Sequence, residues 1–347
     1  MSDLRTALPR KPAGRVPLPL LVTGLAGVPG YQAFQYFARR YPGQVVGIYG
    51  TAGVKLQFSQ TVACDIEDRK GLETLFRRWQ FAAVLDCAGN CALKPCELEP
   101  RIAQTINIDG CRNLLRFARG DVRLVRLSID LVFSGEKGEP YTEADPPDPV
   151  TVYGKTMAEA EKIVLDTHPR ACILRISLPM GRSPGGHAGA IDWIESRFAA
   201  GRPATLYYDE IRTPTYCDCL NRVCEEVLAG SVSGLFHAGG PRALSLYEIA
   251  QIINRTGGYD PELLYGIPRR HAGPIPPRAG DVRLDSTRLA KALGRSPFLP
   301  WPVDDRLIPT DRRWHFAAHG DTWRGNPDEI DRLLCVPGRR TACDQPT

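Results

Sequence analysis

The chain has 347 residues, 43% hydrophobic and 24% charged, with a formal net charge of +5. That length accommodates a dinucleotide-type α/β domain plus a substrate lobe, and the composition is that of a globular protein. No apolar run approaches the ~20 residues of a membrane span, and the nearly neutral body lacks the basic surface of a dedicated nucleic-acid binder.

Arg5, Arg10, Lys11 and Arg15 against Asp3 make residues 1–15 a flexible basic arm rather than a secretory signal. Eleven cysteines, an odd number without a CxxC pair, point to a reduced, cytoplasmic protein. His315 and His319 have the spacing of a metal pair, but Phe316 stands where a metalloprotease helix carries Glu, so no metal is expected.

The apolar run 18–23 predicts a first strand, followed by a glycine turn and a helix to about Arg40. Strands are predicted at 45–50, 61–65, 81–89 and 122–128, with helices at 71–79 and near 101–118. Residues 134–152 read as an exposed polar loop, followed by a helix from Tyr153 to Thr167 and a strand over 171–177. The alternation predicts an α/β fold, a doubly wound parallel Rossmann-type sheet over 16–177 to which later strands return. A smaller, interleaved C-terminal substrate lobe is expected over 178–299, with helices at 190–199, 217–229, 246–255 and 286–293. Residues 182–189 read as a mobile loop and 300–347 as a tail of uncertain order.

Between the first strand and first helix stands Thr23-Gly24-Leu25-Ala26-Gly27-Val28-Pro29-Gly30. Glycines permit a tight turn and a close backbone approach to a pyrophosphate, and the helix N-terminus offers its N–H groups. Pro29 suits the first helical turn. No carboxylate follows the second strand before Asp65, whereas Lys55 is placed to meet a 2′-phosphate. NADP is therefore the expected cofactor, with NAD the alternative.

These motifs, with CAG at 87–89, NIDGCRNLL at 107–115 and SIDLVFSGEKGEPYTEADPPDPVTVYGKT at 128–156, resemble the extended short-chain dehydrogenases/reductases. Within them, the resemblance is to the dTDP-4-dehydrorhamnose reductase family and covers about residues 17–294. It implies reduction of a 4-keto nucleotide sugar by NAD(P)H, with Tyr153 donating the proton. It also implies a cofactor site comprising Gly24, Ala26, Gly27, Val28, Pro29, Gly30, Lys55, Asp65, Ile66, Cys87, Ala88, Gly89, Asn107, Leu127, Tyr153 and Ile176. Asp130, Arg212 and Arg278 are the implied substrate contacts.

The catalytic set is incomplete. Position 157, where the family carries Lys, is Met, and position 129, where it carries Thr, is Ile. Met has neither charge nor donor. Lys155 lies about 200° around the helix from Tyr153, and Ser128 is the neighbouring hydroxyl, on the opposite sheet face from Ile129. Two functions fit: a reductase with reduced or altered activity, and a non-catalytic dinucleotide-binding protein that regulates or scaffolds a partner. A nucleotide sugar is the expected ligand, and either a homodimer or a regulatory partner protein is compatible.

Overall fold

The computed structural model describes residues 14–52, 55–186, 188–316 and 325–337. The first half alternates as its pattern dictates: β1 (Leu20–Val22), α1 (Val28–Arg40), β2 (Val45–Tyr49), β3 (Thr61–Ala63), α2 (Arg69–Trp79) and β4 (Ala83–Asp86). After α3 (Leu93–Leu98) come α4 (Pro100–Ala103), a π-helical turn at Gln104–Asp109 and α5 (Gly110–Phe117). Then follow β5 (Arg123–Ile129), α6 (Val152–Thr167) and β6 (Cys172–Ile176).

The second half contains β7 (Pro179–Met180), α7 (Ala190–Ala199), β8 (Ala204–Tyr207), β9 (Ile211–Arg212), β10 (Thr215–Tyr216) and α8 (Cys217–Ala229). It continues with β11 (Gly234–Ala238), β12 (Leu244–Ser245), α9 (Leu246–Thr256), β13 (Leu264–Ile267), α10 (Thr287–Leu293) and α11 (Asp328–Leu333).

Seven strands form one parallel sheet in the order β11-β6-β5-β4-β1-β2-β3. Its central strands are near-continuous apolar runs because helices cover both faces. One face packs against α1 and α8 through Phe34, Phe37, Leu220, Val223 and Val227. The other packs against α2, α5 and α6 through Leu72, Leu75, Leu114, Ala160 and Val164. Although α8 lies far along the chain, it is riveted to α1: buried Glu225 accepts from Tyr36 and Tyr41 hydroxyls at 2.7 Å and from Arg40 Nε at 2.8 Å. Strand order reverses between β1 and β4, and in such sheets ligands bind beyond the strand C-termini at that switch point.

Three sequence readings change. The 134–152 loop is not simply exposed: Tyr141 is buried, stacks on Phe133 at 4.0 Å and donates its backbone N–H to Arg283 O at 2.7 Å. The 182–189 segment is anchored, with Ser183 Oγ donating to Asp192 at 2.6 Å and Arg182 pairing with Glu195 and Asp331; His187 lies outside the described residues. The described parts of 300–347 pack against the main core. Trp301 is fully buried and donates to Leu333 O at 3.0 Å, while Ile330, Leu333, Leu334 and Val336 join the main core. Of the basic arm, only Gly14 and Arg15 lie within the described residues. Among the described residues, no helix is long and apolar enough to cross a membrane.

Candidate dinucleotide and carbonyl site

The turn after β1 is built around buried Thr23. Its hydroxyl donates to Asp86 Oδ1 at 2.6 Å and accepts from the Cys87 and Ala88 amides at 3.0 and 3.1 Å, clamping the ends of β1 and β4 together. Gly24 has φ +71°, and a Cβ there would lie 2.4 Å from Cys87 O; one on Gly30 would lie 2.3 Å from Gly24 O. These two glycines serve the turn itself. Gly27 differs: the nearest atom to its imagined Cβ is Gly24 O at 3.6 Å, an ordinary van der Waals contact, so the turn itself has room for a side chain at the mouth of α1. Pro29 occupies the first turn, no acid lies there, Val28 is buried and Ala26 is exposed. A glycine that the turn itself does not require, beside a helix N-terminus without a side-chain cap, fits a pyrophosphate approaching the backbone.

Asp65 reaches back to the end of β2, where one carboxylate oxygen accepts the Thr51 amide at 2.8 Å and the other its hydroxyl at 2.5 Å. The stretch that lacks an acid in sequence therefore has one in space, engaged as a clamp on the β2 turn. Lys55 is exposed just beyond. Ile66 packs beneath α5 against Gly110. Leu127 and Ile176 face the α1–α8 core. The π-turn sets buried Asn107 so that it accepts Asn90 N at 2.7 Å and donates to Thr156 Oγ1 at 2.9 Å, fixing the loop after β4 against α6.

Tyr153 sits in the first turn of α6, whose start is capped by Thr151. Gly154 has no room for a side chain: a Cβ would lie 2.1 Å from Leu131 O, so α6 rests directly on that backbone. The phenol is buried among Leu131, Met157 and Tyr141, and burial drives its pKa well above the ordinary 10.0. Cys91 and Asp130 push it the same way; Arg212 and Arg126 pull it down, and burial prevails. Met157 fills the space opposite Gly89, with its sulfur 3.5 Å from where a Gly89 Cβ would be. Ser128 Oγ is buried and unpartnered. Two positions earlier on the same β5 face lies buried Arg126, paired with Asp86, with its Nε and Nη2 unpartnered. Sequence reasoning passed over Arg126 and Thr23, although a charge inside an apolar strand run and a hydroxyl opening the glycine turn were both visible signals.

The implied substrate contacts are drawn to one another. Asp130 accepts Arg212 Nε at 2.6 Å, pairs with its Nη2, and accepts Ser177 Oγ at 2.6 Å. Both residues are buried, so Arg212 does not offer a free fork to a pyrophosphate. Arg278 is half-exposed, lies over the Tyr207 ring at 4.4 Å and donates to its hydroxyl at 3.2 Å. Buried Glu210 lies between the arginines, 3.8 Å from Arg212 and 3.6 Å from Arg278, its pKa raised by burial. His315 accepts from Gln251 Nε2 at 3.0 Å, and His319, which shares its i, i+4 spacing, lies outside the described residues.

A glycine turn at the switch point, a Thr–Asp clamp beneath it and a tyrosine-bearing helix beside it define an extended short-chain reductase-type fold. The chain belongs to the RmlD substrate binding domain family, whose model matches residues 19–301. It is 29% identical over 203 residues to the "probable low-salt glycan biosynthesis reductase Agl14" of Haloferax volcanii, covering 58% of this chain and 68% of that one. It is 26% identical over 307 residues to methionine adenosyltransferase 2 subunit beta of Danio rerio, covering 85% and 92%. Its fold matches the dTDP-4-dehydrorhamnose reductase of Bacillus anthracis, solved with NADP, at a TM-score of 0.67 and 19% identity over 81% of this chain and 95% of that one.

Proposed function

We propose that the protein binds a nicotinamide dinucleotide at the glycine turn and acts chiefly as a dinucleotide-binding regulatory or scaffold protein, its hydride chemistry weakened. The observation that carries this reading is the setting of Tyr153. Its phenol is buried, its pKa is raised, and Met157 occupies the position one helical turn along where a lysine would favour tyrosinate. The relative named as an adenosyltransferase subunit supports a partner-directed role.

Gly27 and the first turn of α1 would hold the phosphates by backbone N–H groups, and the Cys87–Gly89 segment would line the rest of the cofactor site. When bound, NADPH or NADH supplies a hydride donor. NADPH is the preferred form, because both Asp65 oxygens are engaged by Thr51 and Lys55 is available to a 2′-phosphate. A second reading, reduction of a 4-keto nucleotide sugar, is favoured by Ser128 Oγ, a buried hydroxyl without a partner near the end of β5. There Tyr153 donates its proton to the forming alkoxide and Ser128 hydrogen-bonds the same oxygen.

The deciding experiment titrates the protein with NADPH and NADH, then mixes the loaded protein with a 4-keto nucleotide sugar in single turnover. Saturable cofactor binding without oxidation of NADPH upholds the first reading. Oxidation that disappears in Tyr153→Phe replaces it with the second.

A further inference from the structure

At the N-terminal edge of the sheet, opposite the glycine turn, an open cleft of about 800 Å³ lies between the ends of α5 and α6. Its floor is apolar, with Leu115 from α5 and Ile163 from α6. Its rim carries Arg112, Arg116, Arg119 and Arg170, and no carboxylate lines it among the described residues.

Helix dipoles do not account for this cluster. Cations complement a helix only within its last turn, which covers Arg116 but neither Arg112 in the first turn of α5, nor Arg119 two residues past its end, nor Arg170 beyond α6. Nearby acids compensate only part of it: Asp121 pairs with Arg170 at 2.8 Å and Asp109 with Arg112 at 3.5 Å, both on the exposed surface where water and salt screen them. The walls are fixed in place. Arg170 also donates to Gly120 O at 2.5 Å, its own carbonyl accepts from Arg123, and Arg123 donates in turn to Val227 O.

We infer that this cleft docks an acidic, amphipathic segment of a partner protein, carboxylates on the four arginines and an apolar side chain on the Leu115–Ile163 floor. The chain's own ends do not fit. Residues 1–13 carry Arg5, Arg10 and Lys11 against Asp3, and residues 338–347 carry Arg339 and Arg340 against Asp344. A twofold contact across the cleft would set these arginines against their own copies. A phosphate backbone would leave the apolar floor uncovered. The inference does not rest on the reading of the dinucleotide site, which lies at the other edge of the sheet.

The test uses the full chain and a fluorescein-labelled amphipathic peptide with a Glu face and a Leu face, beside the same peptide with Gln for Glu. Anisotropy at about 50 and about 150 mM salt should show the Glu peptide binding about tenfold tighter or more, with the gap narrowing as salt screens it. Arg116→Glu with Arg119→Glu should abolish that preference while NADPH affinity and thermal unfolding stay unchanged. Arg116→Gln with Arg119→Gln serves the same purpose if charge reversal disturbs folding. Equal binding of the two peptides, or a preference that survives both variants, overturns the proposal. So does binding of a DNA duplex in place of the Glu peptide, or a change in the sedimenting mass of the protein alone when the arginines are altered.

Discussion

Asp130 and Arg212, 82 positions apart, close on each other in a buried two-point ion pair that joins the end of β5 to β9. Removing one partner strands the other charge in the interior, which typically costs about 3–5 kcal/mol. Arg212→Met should therefore lower the unfolding free energy measured in urea by an amount in that range, moving the midpoint down, and Asp130→Leu combined with it should recover most of the loss. An Arg212→Met protein that unfolds at the wild-type midpoint would show the pair to be dispensable.

The three glycines of the first turn should separate by substitution. Gly27→Val leaves the turn intact and fills the space facing the ligand, so NADPH affinity should vanish while the melting temperature holds. Gly24→Ala meets Cys87 O in a left-handed conformation and should destabilise the fold itself. Both are read by cofactor titration beside a thermal melt. Equal effects of the two on the melt would contradict this division.

Wild-type protein should bind NADPH about tenfold more tightly than NADH, or about 1.4 kcal/mol. Lys55→Ala should shrink that gap without altering NADH affinity. Isothermal titration with both cofactors decides it, and a tenfold preference for NADH would reverse the assignment.

Tyr153, with its raised pKa, stays a neutral phenol through and beyond the ordinary range near pH 10. An ultraviolet difference titration against Tyr153→Phe should thus show no tyrosinate from this residue below about pH 10. Met157→Lys with Ile129→Thr places an ammonium one turn away, should bring a tyrosinate signal down in pH, and should raise reduction of a 4-keto nucleotide sugar. Adding Tyr153→Phe should cancel that gain, part of the about 10²–10⁴-fold typical of acid catalysis. A revertant that binds NADPH yet shows neither signal would mean the pocket itself has changed.

His237 is buried beside Arg175, and its pKa is lowered by burial to about 4. Its Nδ1 lies 3.0 Å from Tyr141 O and its Nε2 3.3 Å from Arg175 Nη1, an arrangement suited to the neutral ring, which donates at one nitrogen and accepts at the other. Because the unfolded chain takes up this proton near pH 6.5 and the folded one near 4, stability is full above 6.5 and falls as pH drops between those values, by about 3 kcal/mol. Urea unfolding from pH 7 to 4.5 should show this slope, and His237→Gln should flatten it.

Much of the frame was legible because buried strands and helix stripes leave periodic marks. The helix predicted at 217–229 is α8 as found, its Leu220, Val223, Cys224 and Val227 spaced for one face. The glycine turn announced itself in the same way, through residue types whose backbone freedom has a local purpose. Partnership between distant charges left no such mark. Nothing in the spacing shows that Arg212 meets Asp130, or that Asp65 bends back to Thr51. Composition also misled where a few large residues anchor a polar stretch, as Tyr141 does in 134–152 and Trp301 does after 300. The nearly neutral balance of the body concealed the four arginines gathered by the ends of α5 and α6.

Trp301 and the segment ending at Val336 have a consequence for the order of assembly. The indole is sealed by Leu333, and α9 receives α11 on its flank, so the cover over α9 is supplied by a part of the chain made after it. On the ribosome, the seven-stranded sheet has all its strands once β11 has emerged, whereas the apolar flank of α9 must wait for α11 before it is covered. The interval between those events is when a nascent chain presents its stickiest face, and chaperone capture or aggregation during synthesis should concentrate there.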